Sequence, residues 1–97
     1  MAIQSFGNKL AEDLYDDKNT KKTRRFPPEL RRAARRKLLY LHDAALLGDL
    51  RVPPGNRLEA LKGDWKGYHS IRINDQWRVV FRWRDGHALD VQVLDYH

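Results

Sequence analysis

Between residues 68 and 94 the side chains change character at every second position. His69, Ile71 and Ile73 alternate with Ser70, Arg72 and Asn74. Trp77, Val79, Phe81 and Trp83 alternate with Arg78, Val80, Arg82 and Arg84, and Leu89, Val91 and Val93 alternate with Asp90, Gln92 and Leu94. A period of two puts successive residues on opposite sides of a strand, so each run predicts a strand with one buried face. Asn74-Asp75 and Asp85-Gly86 stand where hairpin turns belong. The pattern predicts an antiparallel meander of three strands, joined by a further short strand around Leu58 to Leu61. Its apolar face packs on helix and its polar face stays open, as antiparallel sheets allow.

Ahead of the meander the period is helical. Leu30, Ala34, Leu38, Leu41 and Ala45 recur at three- and four-residue spacing and make one apolar stripe. This predicts a helix from about 28 to 47, with Pro28 tolerated in the first turn. Glu29 suits the positive end of the helix dipole, and Gly48 is placed to cap the helix. RVPPGNR reads as a loop. Nearer the start, Ile3 to Phe6 reads as a short strand and Lys9 to Tyr15 as a weak helix. DDKNTKKTRR reads as a polar loop. Helices first and strands last give an α+β fold: an antiparallel sheet with N-terminal helices packed on one face. Residues 1–97 form one domain in this reading, above the roughly 70–80 residues below which staples are usually needed.

Composition narrows the chemistry. At 41% hydrophobic and 33% charged the chain reads as globular. It has no cysteine, which excludes disulfides, thiolate nucleophiles and cysteine-ligated zinc, and fits a reducing compartment. The opening MAIQSFGNKL lacks the basic and apolar regions of a signal peptide. No apolar run approaches the roughly 18 residues of a membrane span. A cytoplasmic protein without a membrane partner is expected.

The net charge of +6 is unevenly placed. Residues 18–37 carry Lys18, Lys21, Lys22, Arg24, Arg25, Arg31, Arg32, Arg35, Arg36 and Lys37 against a single acid, Glu29. Such a stripe suits a polyanion through phosphate neutralisation and counterion release. It equally suits a solvated helix face or an acidic protein partner. On the polar sheet face, Arg78 and Arg82 project from one side of a strand, with Arg72 beside them on its neighbour. Arginine grips phosphate in two-point geometry, although cross-strand pairing with Asp90 and other carboxylates explains any one of them as well. In LKGDWKGYH, Lys62 and Lys66 flank Trp65, and Gly63 and Gly67 let the backbone turn. Basic residues around an aromatic suit a stacked base; Trp65 reads equally as a cap on the core.

The chain closes on Asp95, Tyr96 and His97, three side chains able to handle protons. The other histidines read as structural or exposed: His42 within the helix, His69 on the apolar face, His87 after a turn. No serine or threonine has a convincing local base, and no group of acids and histidines has metal-ligand spacing. An enzyme of this kind would let its substrate supply the nucleophile. RNA does so, since its 2′-OH attacks the adjacent phosphate, and the protein needs only a base, an acid and cations.

RLEALKGDWKGYHSIRINDQWRVVFRW followed by the terminal DYH resembles the HigB-type toxins of bacterial toxin–antitoxin pairs, in the RelE-like ribonuclease superfamily. The resemblance covers residues 50–97 closely and the helix and IQSF more loosely. It implies a RelE-like microbial ribonuclease fold. It also implies mRNA cleavage in the ribosomal A site, leaving a 2′,3′-cyclic phosphate, without metal or other cofactor. A HigA-like antitoxin with a helix-turn-helix domain would neutralise the toxin, and operator DNA would be met only through that complex. Residue by residue, Lys62 matches the catalytic lysine of the LKG segment, and Arg78 the arginine that steadies the scissile phosphate. His97 matches an acid–base group, Tyr96 a residue that positions or stacks on the nucleotide, and Asp95 one that orients its neighbours. Glu59 stands where some relatives carry a histidine; a carboxylate there accepts a proton but repels phosphate. Arg82, Arg72, Trp65 and Lys66 join the RNA-binding set. Arg31, Arg32, Arg35 and Arg36 are assigned to rRNA contact, with antitoxin docking second. Two other readings are a non-catalytic RNA- or ribosome-binding module and an interaction protein for an acidic partner.

Overall fold

Helix formation starts where the sequence offers caps. Asn8 accepts from the backbone of Ala11 and opens α1, Lys9–Tyr15, which buries Ala11 and Leu14. The computed structural model describes residues 2–95, so Tyr96 and His97 of the terminal triplet lie outside the described residues. The segment read as a polar loop instead carries a short helix, α2, Lys21–Arg25. Thr20 accepts from Thr23 N, Thr23 Oγ1 accepts from Thr20 N, and Thr20 donates to the buried carboxylate of Asp13 at 2.8 Å. Capping supplied from a neighbouring helix outweighs the polar composition.

The long helix is shorter than its stripe. A 3-10 turn spans Pro28–Leu30, and α3 runs from Arg31 to Asp43 with Ala34, Leu38 and Leu41 buried. Ala44 is extended, and Asp49 accepts from Ala45 N and Leu46 N at 3.0 and 2.9 Å. Those bonds divert the chain into a separate 3-10 turn, Leu47–Arg51. Gly48 therefore sits inside that turn instead of capping α3, and Ala45 lies beyond the helix.

Four antiparallel strands follow in the order β1-β2-β3-β4: Glu59–Ala60, Tyr68–Arg72, Trp77–Arg84 and His87–Asp95. Strand β2 stops at Arg72, short of Ile73, because Asn74 Oδ1 accepts from Gln76 N and Trp77 N and bends the chain. Asp85 and Gly86 both have positive φ, 52° and 80°, which is the combination a tight hairpin turn requires. The alternation fails once. Asp90 has φ 52° and the β3–β4 register shifts between Val80 and Arg82, which marks a bulge. Beyond it Ala88, not Leu89, turns into the core. The N-terminal segment makes no regular strand but runs alongside β4 through parallel bridges Ile3 to Ala88 and Phe6 to Val91.

The core lies between α3 with α1 and one face of the sheet. Leu38, Leu41, Ile71, Val79, Phe81, Val91 and Val93 form its centre. His69 stacks on Phe81 at 6.0 Å, and His42 Nδ1 accepts weakly from Ile3 N at 3.4 Å, so both are structural. His87 is exposed. Among the described residues no helix is long and apolar enough to cross a membrane.

Candidate active site

The polar face of the sheet is assembled by register. Glu59 pairs with Ser70, Ser70 with Val80, Tyr68 with Arg82 and Arg72 with Arg78. Opposed residues of an antiparallel pair project from one side. Glu59, Tyr68, Ser70, Arg72, Arg78 and Arg82 therefore share the face turned away from α3.

Arg78 is at its centre. Its Nη1 donates to Ser70 Oγ at 2.9 Å and lies 3.6 Å from Glu59 Oε1. Ser70 is buried, while the Arg78 and Glu59 side chains keep 17% and 49% of their exposure. A buried hydroxyl thus fixes one edge of a guanidinium, and a half-exposed carboxylate stands against it. The other two arginines also meet carboxylates: Arg72 bonds Asp75, and Arg82 lies 3.9 Å from Asp90. These partners are exposed or half-exposed, so the charges are wet and open to exchange.

At the Arg82 end, the Trp65 and Tyr68 rings meet edge-on, with centroids 5.0 Å apart and planes at 90°. The Arg82 guanidinium carbon sits 5.6 Å from the Tyr68 ring centroid. Trp65 is half-buried against Tyr68 and stands outside the core cluster. Its turn is a 3-10 segment, Gly63–Trp65, entered and left through Gly63 and Gly67 at φ 65° and 94°. Lys62 and Lys66 flank that turn and are exposed. Asp95 falls on the other side of the sheet: it pairs with Trp77, and its Oδ2 accepts from Gln76 Nε2 at 2.9 Å. It is not brought onto the Arg78 face. Tyr68 and Ser70 were not singled out by sequence reasoning, although their alternation with His69 and Ile71 already put them beside Arg72.

A second cationic place lies elsewhere. A cleft of about 550 Å³ between the α1–α2 corner and α3 is lined by Arg31, Arg32, Arg35 and Arg36, with Asp13 and Asp17 on its other wall. Asp13 Oδ1, 3.5 Å from Lys9 Nζ, and Arg31 Nε are both shielded from solvent. Neither has a hydrogen-bond partner among the described residues. None of the lining residues belongs to the Arg78 face. Among the described residues no group of three or more histidines or acids is placed to share a metal ion.

The antiparallel sheet with helices on one side is a fold shared with the YoeB toxins. The YoeB–YefM complex from Staphylococcus aureus matches with a TM-score of 0.60 at 18% identity, covering 100% of this chain and 99% of that one. The YoeB dimer from the same organism matches with a TM-score of 0.58 at 21% identity, covering 100% and 97%. A sequence model described as RelE-like toxin of type II toxin-antitoxin system HigB matches residues 4–97. Toxin HigB-1 of Vibrio cholerae serotype O1 is 45% identical over 97 residues, 100% of this chain and 98% of that protein. Endoribonuclease HigB of Proteus vulgaris is 42% identical over 41 residues, 42% of this chain and 45% of that protein. The chain belongs to the HigB family of RelE-like toxins of type II toxin–antitoxin systems.

Proposed function

We propose that this toxin is an endoribonuclease that cleaves mRNA in the ribosomal A site by attack of the ribose 2′-OH on the adjacent phosphate. The observation that carries the reading is the meeting of Arg78, Ser70 and Glu59 on the open sheet face, with Arg78 Nη1 2.9 Å from Ser70 Oγ and 3.6 Å from Glu59 Oε1. The Arg78–Glu59 contact is an ion pair without a hydrogen bond. A phosphate offering two oxygens makes shorter, charge-assisted bonds and displaces the carboxylate. Arg78 then balances the charge that grows on the phosphoryl oxygens, and Lys62 adds a second cation. The displaced Glu59 carboxylate takes the 2′-OH proton as the new P–O2′ bond forms. The P–O5′ bond breaks, and the departing 5′ oxygen receives a proton from an acid, for which His97 is assigned from the family resemblance. The products are a 2′,3′-cyclic phosphate and a 5′-hydroxyl. No step in this scheme uses a metal or cofactor.

Tyr96 positions the nucleotide in this reading, and Asp95 orients the end of β4. Arg31, Arg32, Arg35 and Arg36 meet the phosphates of rRNA. The protein works where ribosomes are, in the cytoplasm, and is neutralised by a HigA-like helix-turn-helix antitoxin through which the complex reaches operator DNA.

The test adds wild type, Arg78→Ala and a chain lacking His97 to programmed ribosomes and maps mRNA 5′ ends. Cuts in the A site by wild type, lost with Arg78→Ala, support the reading. Loss on removing His97 places the acid there; undiminished cuts move the acid to Lys62. Wild type that binds ribosomes but makes no cuts overturns the enzyme in favour of an RNA-binding module.

A further inference from the structure

Beyond the phosphate grip, the same face carries a group that the cleavage scheme does not use. Tyr68 sits opposite Arg82 in the β2–β3 register, and the guanidinium carbon lies 5.6 Å from the tyrosine ring centroid. The Arg82 side chain is nevertheless 56% exposed. Asp90, 3.9 Å away, restrains it without burying it. Trp65 stands perpendicular to Tyr68, 5.0 Å between centroids, and walls one side. A planar cation held over one ring, exposed to solvent and close to a second ring, leaves a face free for a further flat group.

We infer that Tyr68, Arg82 and Trp65 form a binding subsite for one unpaired nucleobase of the substrate RNA. The base stacks on the Arg82 guanidinium plane or against Trp65. The chemical class follows from the surfaces offered. Guanidinium planes and aromatic rings take bases by their π faces, and every base has one. The three side chains present little that reads base edges, so the subsite favours bases by stacking area, purines over pyrimidines.

Its position sets which base is taken. Arg78 and Arg82 are four residues apart on one strand, so they lie about 13 Å apart along it. That distance is too long for one nucleotide's phosphate and its own base to fill both places. The stacked base belongs to a nucleotide flanking the scissile step. Holding it fixes the strand's register over Arg78, so that the 2′-OH, phosphorus and leaving oxygen come into line. Tyr68 acts here as a positioning residue: its ring restrains the Arg82 guanidinium and makes no contact with the reacting atoms.

This inference rests on the ribonuclease reading, and the test separates the two. The probes are short RNAs with 2′-O-methyl at the cleaved ribose, each carrying one abasic site at a successive position. Binding to wild type, Tyr68→Ala, Tyr68→Phe and Arg82→Ala is measured without ribosomes, alongside cleavage of unmodified mRNA on ribosomes. We expect one abasic position to lower wild-type affinity roughly ten-fold. That penalty should vanish in Tyr68→Ala and Arg82→Ala and persist in Tyr68→Phe, which keeps the ring. On ribosomes, Tyr68→Ala should lose the preference for a purine at that position, while Arg78→Ala loses cleavage at every site. A base penalty equal at all positions, or one that survives both alanine variants, overturns the subsite. If wild type cleaves normally under that outcome, the ribonuclease reading stands without it. If wild type neither cleaves nor binds RNA, both fall.

Discussion

Arg78 on the sheet and Arg36 on α3 carry the same side chain into opposite circumstances. Arg78 is mostly covered, bonded at 2.9 Å to a buried serine and faced by a carboxylate at 3.6 Å. Arg36 is exposed on the wall of an open cleft, one of four arginines along a single helix. The first is a positioned donor, held so that an anion meets it in one geometry. The second is part of a field, where number and density matter more than direction. Positioned charge serves a transition state, and a field serves encounter and docking. In the ribonuclease reading one small fold thus separates chemistry from attachment, and variants in each region should pull the two apart.

The largest effect is expected at Arg78. Arg78→Ala should lower cleavage on ribosomes by at least about 100-fold, the scale of losing one preorganised donor to a developing oxyanion. Ribosome affinity should be unchanged. If affinity falls and the rate of bound toxin does not, Arg78 belongs to the field and the comparison collapses.

Next comes the joint between the two regions. Asn56 is buried; its Nδ2 donates to Leu50 O and Val52 O, and its Oδ1 accepts from Lys37 Nζ at 2.5 Å. It ties α3 to the loop that leads into β1 and Glu59. Asn56→Ala orphans those carbonyls and should cost about 1–3 kcal/mol, read as a lower midpoint in urea. Glu59 should be displaced with the loop, so cleavage should fall while salt-dependent binding persists.

Charge in the cleft should act more weakly, and additively. Each of Arg32→Gln and Arg36→Gln should reduce the slope of log affinity for ribosomes against log salt by about 0.7–0.9. The cleavage rate at saturating toxin should not move. A slope that stays fixed while affinity for an acidic polypeptide drops would assign the cleft to the antitoxin.

How much of this was written in the residues differs between the two regions. The meander, its turns and the shared side of Arg72, Arg78 and Arg82 follow from alternation, because the period of two is local. The convergence of Glu59 on Arg78 does not, since it depends on a two-residue strand pairing across the turn that holds Trp65. The bulge at Asp90 was hidden for the same reason. Ser5 accepts from Asp90 N and Val91 N through its side chain and carbonyl, at 2.9 and 3.1 Å, a contact across most of the chain. The arginine field was legible as composition, but its cleft was not. The cleft needs α2, which forms where a polar loop was expected because Asp13 and Thr23 support the Thr20 cap. It also needs α3 to begin at Arg31.

The smallest effect separates the sheet's own two faces. A loss of activity in mild acid can arise at the site or from the fold beneath it. His69 lies beneath, on the core side of β2 next to Ser70 in sequence, stacked on Phe81. Burial lowers its pKa below the ordinary 6.5. Below pH 6.5 the unfolded chain therefore takes up a proton that the folded chain resists, and stability falls with pH until the lower folded value is passed. His69→Phe removes that proton and keeps the ring against Phe81. Its urea midpoint should vary less than wild type's between neutral and mildly acid pH. Its cleavage rate at saturating toxin should keep wild type's profile over the same pH range, since His69 alternates with Ser70 and lies on the side of the sheet away from Arg78. A cleavage profile that flattens together with the stability profile would place any loss of activity in mild acid in the fold and not at the Arg78 face.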